Sequence, residues 1–514
     1  MKLDVILIHP PTNFSMPRGA ISALPSYHIG YGMLHIASTL LASGFKVSVW
    51  NLEETFHLDG ITSRKFSEII EGVDCKIVGI ELNWLHFSKG AIQTAKIIKK
   101  IRPDITIIVG GTHATLFADQ IVRGYHKIID AVLKGEAEKT FLQLARKFEE
   151  KDPLSDVDVG GLVTFKDGRV IERPLKKEDI FENIDEIPPF TYRVVKRVKD
   201  GGESRRLFAG SAVNTCRGPC PYECLYCIDR NISILSGRRE YAVHSPEWIV
   251  NQINLLLEEG CYEFAFQDNL YLSGKKYLRE LSKTLIREKI SDKINGFNMI
   301  SVPGFLDSET LEELSKAGCT NIDYGVESGS EHVLKLVRRP TSINKIIDSI
   351  KDTIQAGIIP FTWWMTGLPN EGKEEIKETL KLIMKTSYLG AIPKWITPLI
   401  LLPHTELFER AEEFGVKPKF KSFKDFMIFS NLTRKRVSFY PEAITHETNK
   451  MSRENIAKAS IYLKTEIFKR KNRILSNFKR KFLKTVLKYH PSFNEAYLMN
   501  VLEAVLSRQL ESFF

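Results

Sequence analysis

The run Asn214-Thr-Cys-Arg-Gly-Pro-Cys-Pro-Tyr-Glu-Cys-Leu-Tyr-Cys227 decides how the rest of the chain is read. Cys220, Cys224 and Cys227 stand in it as C-x3-C-x2-C, directly after an apolar stretch, Leu207–Val213, that reads as a strand. Three thiolates on one short loop can hold three corners of an iron–sulfur cube and leave the fourth iron without a protein ligand. An iron left open in this way accepts a small molecule through that molecule's own donor atoms. A structural zinc site asks for four ligands, usually in paired knuckles, and no second Cys-x2-Cys or His pair is present to complete one. A disulfide framework asks for a small scaffold in an oxidising compartment, whereas this chain has 7 Cys in 514 residues. Cys216 leaves a second register open, Cys216-x3-Cys220-x3-Cys224.

The same run resembles the signature of the radical S-adenosylmethionine (SAM) superfamily, down to the aromatic Tyr226 before the last cysteine. The x3/x2 spacing and that aromatic favour the later register, with Cys216 a neighbouring thiol. The resemblance implies a [4Fe-4S] cluster on Cys220, Cys224 and Cys227 whose open iron chelates SAM. It implies reductive cleavage of SAM to a 5′-deoxyadenosyl radical, abstraction of a substrate hydrogen, and an electron donor such as ferredoxin or flavodoxin.

A chain of this length points to two or three domains. Its 43% hydrophobic and 26% charged residues are ordinary for a globular protein, and no run approaches the roughly 18 apolar residues of a membrane span. The N-terminus reads as a first β-strand and not as a signal peptide, which predicts a cytoplasmic protein. A formal net charge of +10 suits an anionic partner without choosing which one.

Residues 1–145 alternate between strands and helices. Val5–Ile8, Phe45–Trp50, Ile77–Leu82, Ile105–Val109 and Ile128–Leu133 read as strands, and Tyr31–Ala42 and Gly90–Ile101 as helices. That pattern predicts a doubly wound, Rossmann-like parallel sheet with its ligand site beyond the strands' carboxyl ends. Three features resemble the cobalamin (B12)-binding domain that precedes many radical SAM enzymes: Pro10-Pro11 after the first strand, Gly110-Gly111-Thr-His113, and Gly135-Glu136-x-Glu138. The resemblance implies that Pro10, Pro11, Gly110, Gly111, His113, Gly135 and Glu136 contact a cobalamin cofactor. The Asp-x-His-x-x-Gly motif that ligates cobalt from below is absent, so the lower position is expected to be empty or filled by water. A domain that keeps the fold without the cofactor is the alternative.

Residues 146–203 read as a linker or adaptor, with a hairpin at Asp167-Gly168 and a stretch, Asp185-Glu186-Ile187-Pro188, that resembles the family's bridge into the radical domain. Residues 204–410 resume the alternation, with six strands expected in a partial (β/α)6 barrel. Gly325-Val-Glu327-Ser328-Gly329, Gln267-Asp268 and Gly367-Leu-Pro369 end three of its strands and resemble the family's SAM-contacting stretches. The resemblance implies SAM contacts from Tyr226, Gln267, Asp268, Glu327, Ser328 and Gly367. Residues 411–514 read as a mostly helical, basic region. From Lys464 to Lys488 it holds ten Lys/Arg and one acidic residue, with Ile467, Ile474, Phe478, Phe482 and Val486 as an apolar stripe. Such a helix suits either an anionic membrane surface or simple packing on the barrel.

The function expected from these readings is cobalamin-dependent radical methylation of an unactivated carbon in a small-molecule or lipid substrate. The alternative is radical bond formation, cyclisation or another modification of a membrane lipid without methyl transfer. Peripheral membrane contact is compatible with the basic tail, and no nucleic-acid-binding appendage is visible.

Overall fold

The computed structural model describes residues 3–14, 29–57, 62–149, 154, 157–196, 198, 210–266, 268–432, 437–478 and 503. The chain divides into two compact units, the first comprising 1–208, 231–242 and 421–434 and the second the remainder.

The first unit is built on one sheet. Its parallel strands are β1 (Val5–His9), β2 (Val47–Asn51), β3 (Ile77–Glu81), β4 (Thr106–Gly110) and β5 (Ala131–Leu133). All five positions of β1 and of β3 are buried, because both faces of a doubly wound sheet are covered and every side chain must be apolar or paired. Strand order reverses between β1 and β3, as the doubly wound topology requires.

The segment 146–203 carries the expected hairpin and joins the sheet of the first unit. It supplies the antiparallel hairpin β6 (Leu162–Lys166) and β7 (Arg169–Glu172), which extends the sheet from β5, and β8 (Val195–Lys196), which pairs with β2. The hairpin turns at Asp167 and Gly168, both at positive φ (51° and 76°), as a tight two-residue turn demands. Asp185–Pro188 packs on the helix Tyr31–Ala42, where the Ser38 hydroxyl donates to the Pro188 carbonyl at 3.1 Å.

The second unit carries six parallel strands in sequence order: β9 (Gly210–Ala212), β10 (Glu263–Phe266), β11 (Gly296–Ser301), β12 (Cys319–Glu327), β13 (Ile359–Thr366) and β14 (Ile392–Pro398). This is the expected open (β/α)6 arrangement. Two of its helices start on side-chain caps, with Ser245 and Asp307 accepting from Trp248 N and Thr310 N.

The C-terminal region departs from expectation in one way and, in its basic stretch, follows the barrel-packing alternative. Residues 421–432 belong to the first unit, where Phe423, Phe426 and Phe429 are fully buried. As far as Phe478 the basic stretch packs on the protein itself. Helix Arg453–Lys469 covers β13 and β14, and Lys471–Phe478 lies on the helix Lys373–Leu389, with Arg473 4.8 Å above the Tyr388 ring. Ile467, Ile474 and Phe478 are 1–2% exposed, so the described part of the apolar stripe is occupied by the protein itself. Phe482 and Val486 lie outside the described residues. No described helix is long and apolar enough to cross a membrane.

Candidate active site

In the second unit β9 runs into the three-cysteine loop, and a single carboxylate anchors the junction. Asp268, just past β10, accepts from Thr215 N (2.5 Å), Asn214 Nδ2 (3.2 Å), Cys216 N (3.2 Å) and the Thr215 hydroxyl. Burial pushes the Asp268 pKa up, while these donors pull against it. Further along, Leu225 is held from both sides: its N–H donates to Val337 O and its carbonyl accepts from Leu407 N at 2.8 Å.

Cys220 and Cys224 are buried, Cys227 partly so, and none is in a disulfide. Burial raises all three thiol pKa values, and the three sulfurs also influence one another, as three neighbours around a shared centre do. Among the described residues no three His, Cys, Asp or Glu side chains converge on a single-ion site.

Beside the loop sits a residue that the sequence reading missed. Arg339 is largely buried, with Nη1 3.9 Å from Cys224 Sγ, Nη2 donating to Gly325 O at 2.5 Å and standing 3.6 Å from Glu327 Oε1. Its Nε is buried without a partner. Burial works against the guanidinium charge, but Tyr226, Glu327 and Cys224 together raise its pKa, so it stays cationic. Glu327 ends β12 at φ 73° and is 7% exposed; burial lifts its pKa and Arg339 pulls it back. Gly325 leaves room for this pair, since a Cβ would lie 2.6 Å from both Arg339 Nη2 and Glu327 Oε1 and would displace their side-chain ends. Tyr226 packs its ring into the core behind the loop, its hydroxyl buried without a partner.

A half-open cavity of about 420 Å³ borders this group, lined by Tyr222, Val302–Phe305, Arg339–Thr341 and Lys345. Trp363, in register with Gly325, lies on the same face of the sheet, edge-on to Trp395 at 6.3 Å; Trp364 faces away and is fully buried. Lys394 and Asp323 pair at 3.1 Å nearby on β14 and β12.

Other predicted residues have local duties. Ser328 accepts from Ser330 N and lies 3.4 Å from the Thr379 hydroxyl. Gly367, at φ 85°, donates to Glu371 Oε2 and accepts from His446 Nε2 at 2.7 Å, which staples the turn after β13. Burial raises the Glu371 pKa to about 8. Gln267 lies outside the described residues.

In the first unit the predicted contacts all gather at the carboxyl ends of β1, β4 and β5. Pro10 and Pro11 are buried, and Pro11 O presses so closely on Gly90 that a Cβ there would stand 1.5 Å away. Gly111, at φ 109°, packs on the loop after β3, where a Cβ would meet Asn83 Oδ1 at 2.4 Å; Gly110 O accepts from Leu82 N. His113 is enclosed by Phe117, Phe423 and Phe426 (ring centroids 4.9, 5.6 and 5.9 Å). Its Nε2 is buried without a partner, and burial, with His86 adding, lowers its pKa to about 3. His9 Nδ1 is 2.6 Å from Glu81 Oε2. Gly135, at φ 83°, passes close to Ser236 O, and Glu136 makes a two-pronged pair with the buried Arg238 at 2.6 and 2.8 Å. Trp84, on the loop after β3, is 62% exposed.

The family profile of the radical SAM superfamily matches residues 218–383, and that of the B12 binding domain matches residues 17–145. The chain is a radical SAM enzyme with a B12-binding domain. Among its relatives are an uncharacterised methyltransferase of Pyrococcus horikoshii, 26% identical over 80% of this chain and 83% of the relative. Another is an anaerobic magnesium-protoporphyrin IX monomethyl ester cyclase of Rubrivivax gelatinosus, 25% identical over 82% and 70%. The fold matches the radical SAM methyltransferase TsrM of Kitasatospora setae, solved with cobalamin and a [4Fe-4S] cluster (TM-score 0.63, 16% identity, 82% of this chain and 81% of that one). It also matches the cobalamin-dependent radical enzyme OxsB (TM-score 0.63, 15% identity, 98% and 72%).

A [4Fe-4S] cluster, SAM and cobalamin are the cofactors of this class, and the residues present fit them. The radical SAM unit offers three neighbouring thiols and, beside them, a buried guanidinium with an unpartnered N–H. The B12-binding unit places its candidate contacts along one carboxyl edge next to the strand-order reversal, the usual ligand edge of a doubly wound sheet. His113 is packed among aromatic rings and His9 holds a carboxylate, which agrees with the absence of the cobalt-ligating motif.

Proposed function

We propose that the enzyme methylates an unactivated carbon of a small-molecule substrate in a cobalamin-dependent radical SAM reaction. The observation that carries this reading is Arg339, set between Cys224 of the three-cysteine loop and Glu327 at the carboxyl end of β12, in a chain whose other unit is a B12-binding domain. When bound, the cluster and SAM supply a 5′-deoxyadenosyl radical and the corrinoid a transferable methyl group.

The chain's own residues prepare that chemistry. Cys220, Cys224 and Cys227 lose their protons on binding iron, which offsets the burial that holds the free thiols protonated. Arg339 offers its unpartnered Nε–H to the SAM carboxylate, and Glu327 receives the SAM amino group, so the ion pair observed between them opens onto a zwitterion of matching polarity. Asp268, expected at first to touch SAM, acts through the loop: its carboxylate fixes residues 214–216 and with them the approach to Cys220. Trp363 and Trp395 wall the barrel face and keep water from a reactive radical. An acidic flavodoxin or ferredoxin serves as the electron source.

The methyltransferase of Pyrococcus horikoshii supports methyl transfer, and so does the cytidylyl-2-hydroxyethylphosphonate methyltransferase of Streptomyces wedmorensis, 22% identical over 67% of this chain. The cyclase of Rubrivivax gelatinosus favours a second reading, oxidation or ring closure without methyl transfer. A membrane lipid loses its main support, because the apolar stripe of the basic helices is packed on the barrel as far as Phe478.

The test is anaerobic purification from cells supplied with cobalamin, followed by reduction with methyl-labelled SAM and candidate substrates. Methyl transfer predicts stoichiometric corrinoid and labelled product alongside 5′-deoxyadenosine. Corrinoid-free protein that still cleaves SAM would reject methylation and leave the cyclase-type reading.

A further inference from the structure

The half-open cavity beside Arg339 has a one-sided chemistry. Its polar lining consists of Arg339, Thr341, Lys345 and Tyr222, and no carboxylate contributes to it. Two of its donors are buried and unsatisfied, Arg339 Nε and Thr341 Oγ1. The ammonium of Lys345 has no ion-pair partner among the described residues, although its stem is held in place. Gly304, at φ 91°, lies directly beneath it, where a Cβ would meet Lys345 Cδ at 2.8 Å and Cβ and Cγ at 3.2 Å. Gly304 is itself fixed by donating to Ser349 Oγ at 2.6 Å. The remaining walls, Val302, Pro303, Phe305 and Pro340, are apolar and strengthen any charge interaction made against them. With Arg339 Nε given to SAM, the Thr341 hydroxyl remains, a buried donor that costs about 1–3 kcal/mol left open, and beside the Lys345 ammonium it suits an acceptor that arrives from outside.

We propose that this cavity is the subsite for an anionic group of the substrate, a phosphate or a carboxylate, received by Lys345 and Thr341 while Arg339 holds SAM. The proposal rests on the reading of this barrel end as the active site and adds the class of substrate. Lys345 supplies the point charge, the Thr341 hydroxyl donates alongside it, and the apolar walls take the adjoining carbon skeleton. A neutral lipid or a cationic peptide has nothing to place there.

The experiment is calorimetric titration of the cluster-reconstituted, SAM-saturated protein with inorganic phosphate and, separately, with acetate. Wild type is compared with Lys345→Met and Thr341→Val, and SAM affinity is measured on each. At least one of the two anions is expected to bind wild type, about tenfold more weakly to Lys345→Met and several-fold more weakly to Thr341→Val, with SAM affinity unchanged throughout. Tighter phosphate points to a phosphorylated substrate, and tighter acetate to a carboxylate. Three results overturn the proposal: no anion binding to the SAM-loaded wild type, binding that Lys345→Met leaves intact, or competition between the anion and SAM. The last would assign the cavity to SAM itself. A protein that binds no corrinoid but binds phosphate through Lys345 would reject methyl transfer and leave the subsite standing.

Discussion

Removing the Asp268 carboxylate should loosen the cluster loop before it unfolds the barrel. Asp268→Ala deprives Thr215 N, Cys216 N and the Thr215 hydroxyl of their acceptor, whereas Asn214 Nδ2 keeps the Cys216 carbonyl at 2.9 Å. Two backbone N–H groups left without partners at 1–3 kcal/mol each, partly relieved by water at a partly buried site, give an expected loss of about 2–4 kcal/mol. Asp268→Asn keeps one acceptor oxygen but turns an NH2 toward donors, and should fall between Ala and wild type. The loss is local, so it should appear first in metal retention. Reconstituted Asp268→Ala should hold less iron per chain and release it to a chelator at least about tenfold faster, tenfold corresponding to roughly 1.4 kcal/mol. Iron content, chelator-release rate and urea midpoint are the readouts. An alanine variant with wild-type iron, wild-type release and a stability change under about 1 kcal/mol would refute the anchoring role.

Cys220→Ala should abolish cluster absorbance, and Cys216→Ala should retain it; a cluster-free Cys216→Ala protein would demand the earlier register. Arg339→Met should raise the SAM dissociation constant at least about tenfold in equilibrium binding while leaving iron content near wild type, and unchanged SAM affinity would remove it from the cofactor site. Lys464 is 5% exposed on the helix Arg453–Lys469, with Ser438 Oγ at 3.1 Å, and burial lowers its pKa to about 8. A folded pKa below the unfolded value near 10.4 means a buried charge below pH 8 that is relieved as pH rises from 8 to about 10.4, worth up to about 3 kcal/mol. Lys464→Met should therefore be more stable than wild type at pH 7 in urea unfolding, with the advantage shrinking toward pH 10. A pH-independent difference would contradict this.

Much of the fold was legible because buried strands leave no choice of residue. Val5–His9 is apolar on both faces and could be nothing but a central strand, and Asp167-Gly168 fits only a tight turn. The edge elements were legible only in part: the hairpin that ends in Arg169–Glu172 was readable from its Asp167-Gly168 turn, whereas Val195–Lys196 has two residues and carries no period. The cluster loop was readable from its cysteine spacing together with its family resemblance. Arg339 was not, since it meets Cys224 across 115 positions and reads locally as the end of a short helix. Asp268 sat where a ligand was expected, and only the structure shows its oxygens turned toward the loop backbone. The apolar stripe of the basic helices was visible, but a sequence cannot say whether protein or bilayer covers it.

The aromatic closure of His113 has a consequence for how the chain matures. Phe423 donates to Gln120 across 303 positions, and Phe423 and Phe426 complete the packing around His113 and Phe117. The B12-binding unit thus contains its own last piece only after the whole barrel has been translated, a delay of roughly 15–60 s at usual elongation rates. Until then its ligand edge is an open apolar face on the ribosome. A gene fragment ending near residue 200 freezes the unit in that unfinished state, so the two cofactor modules of this enzyme cannot be separated by a single cut.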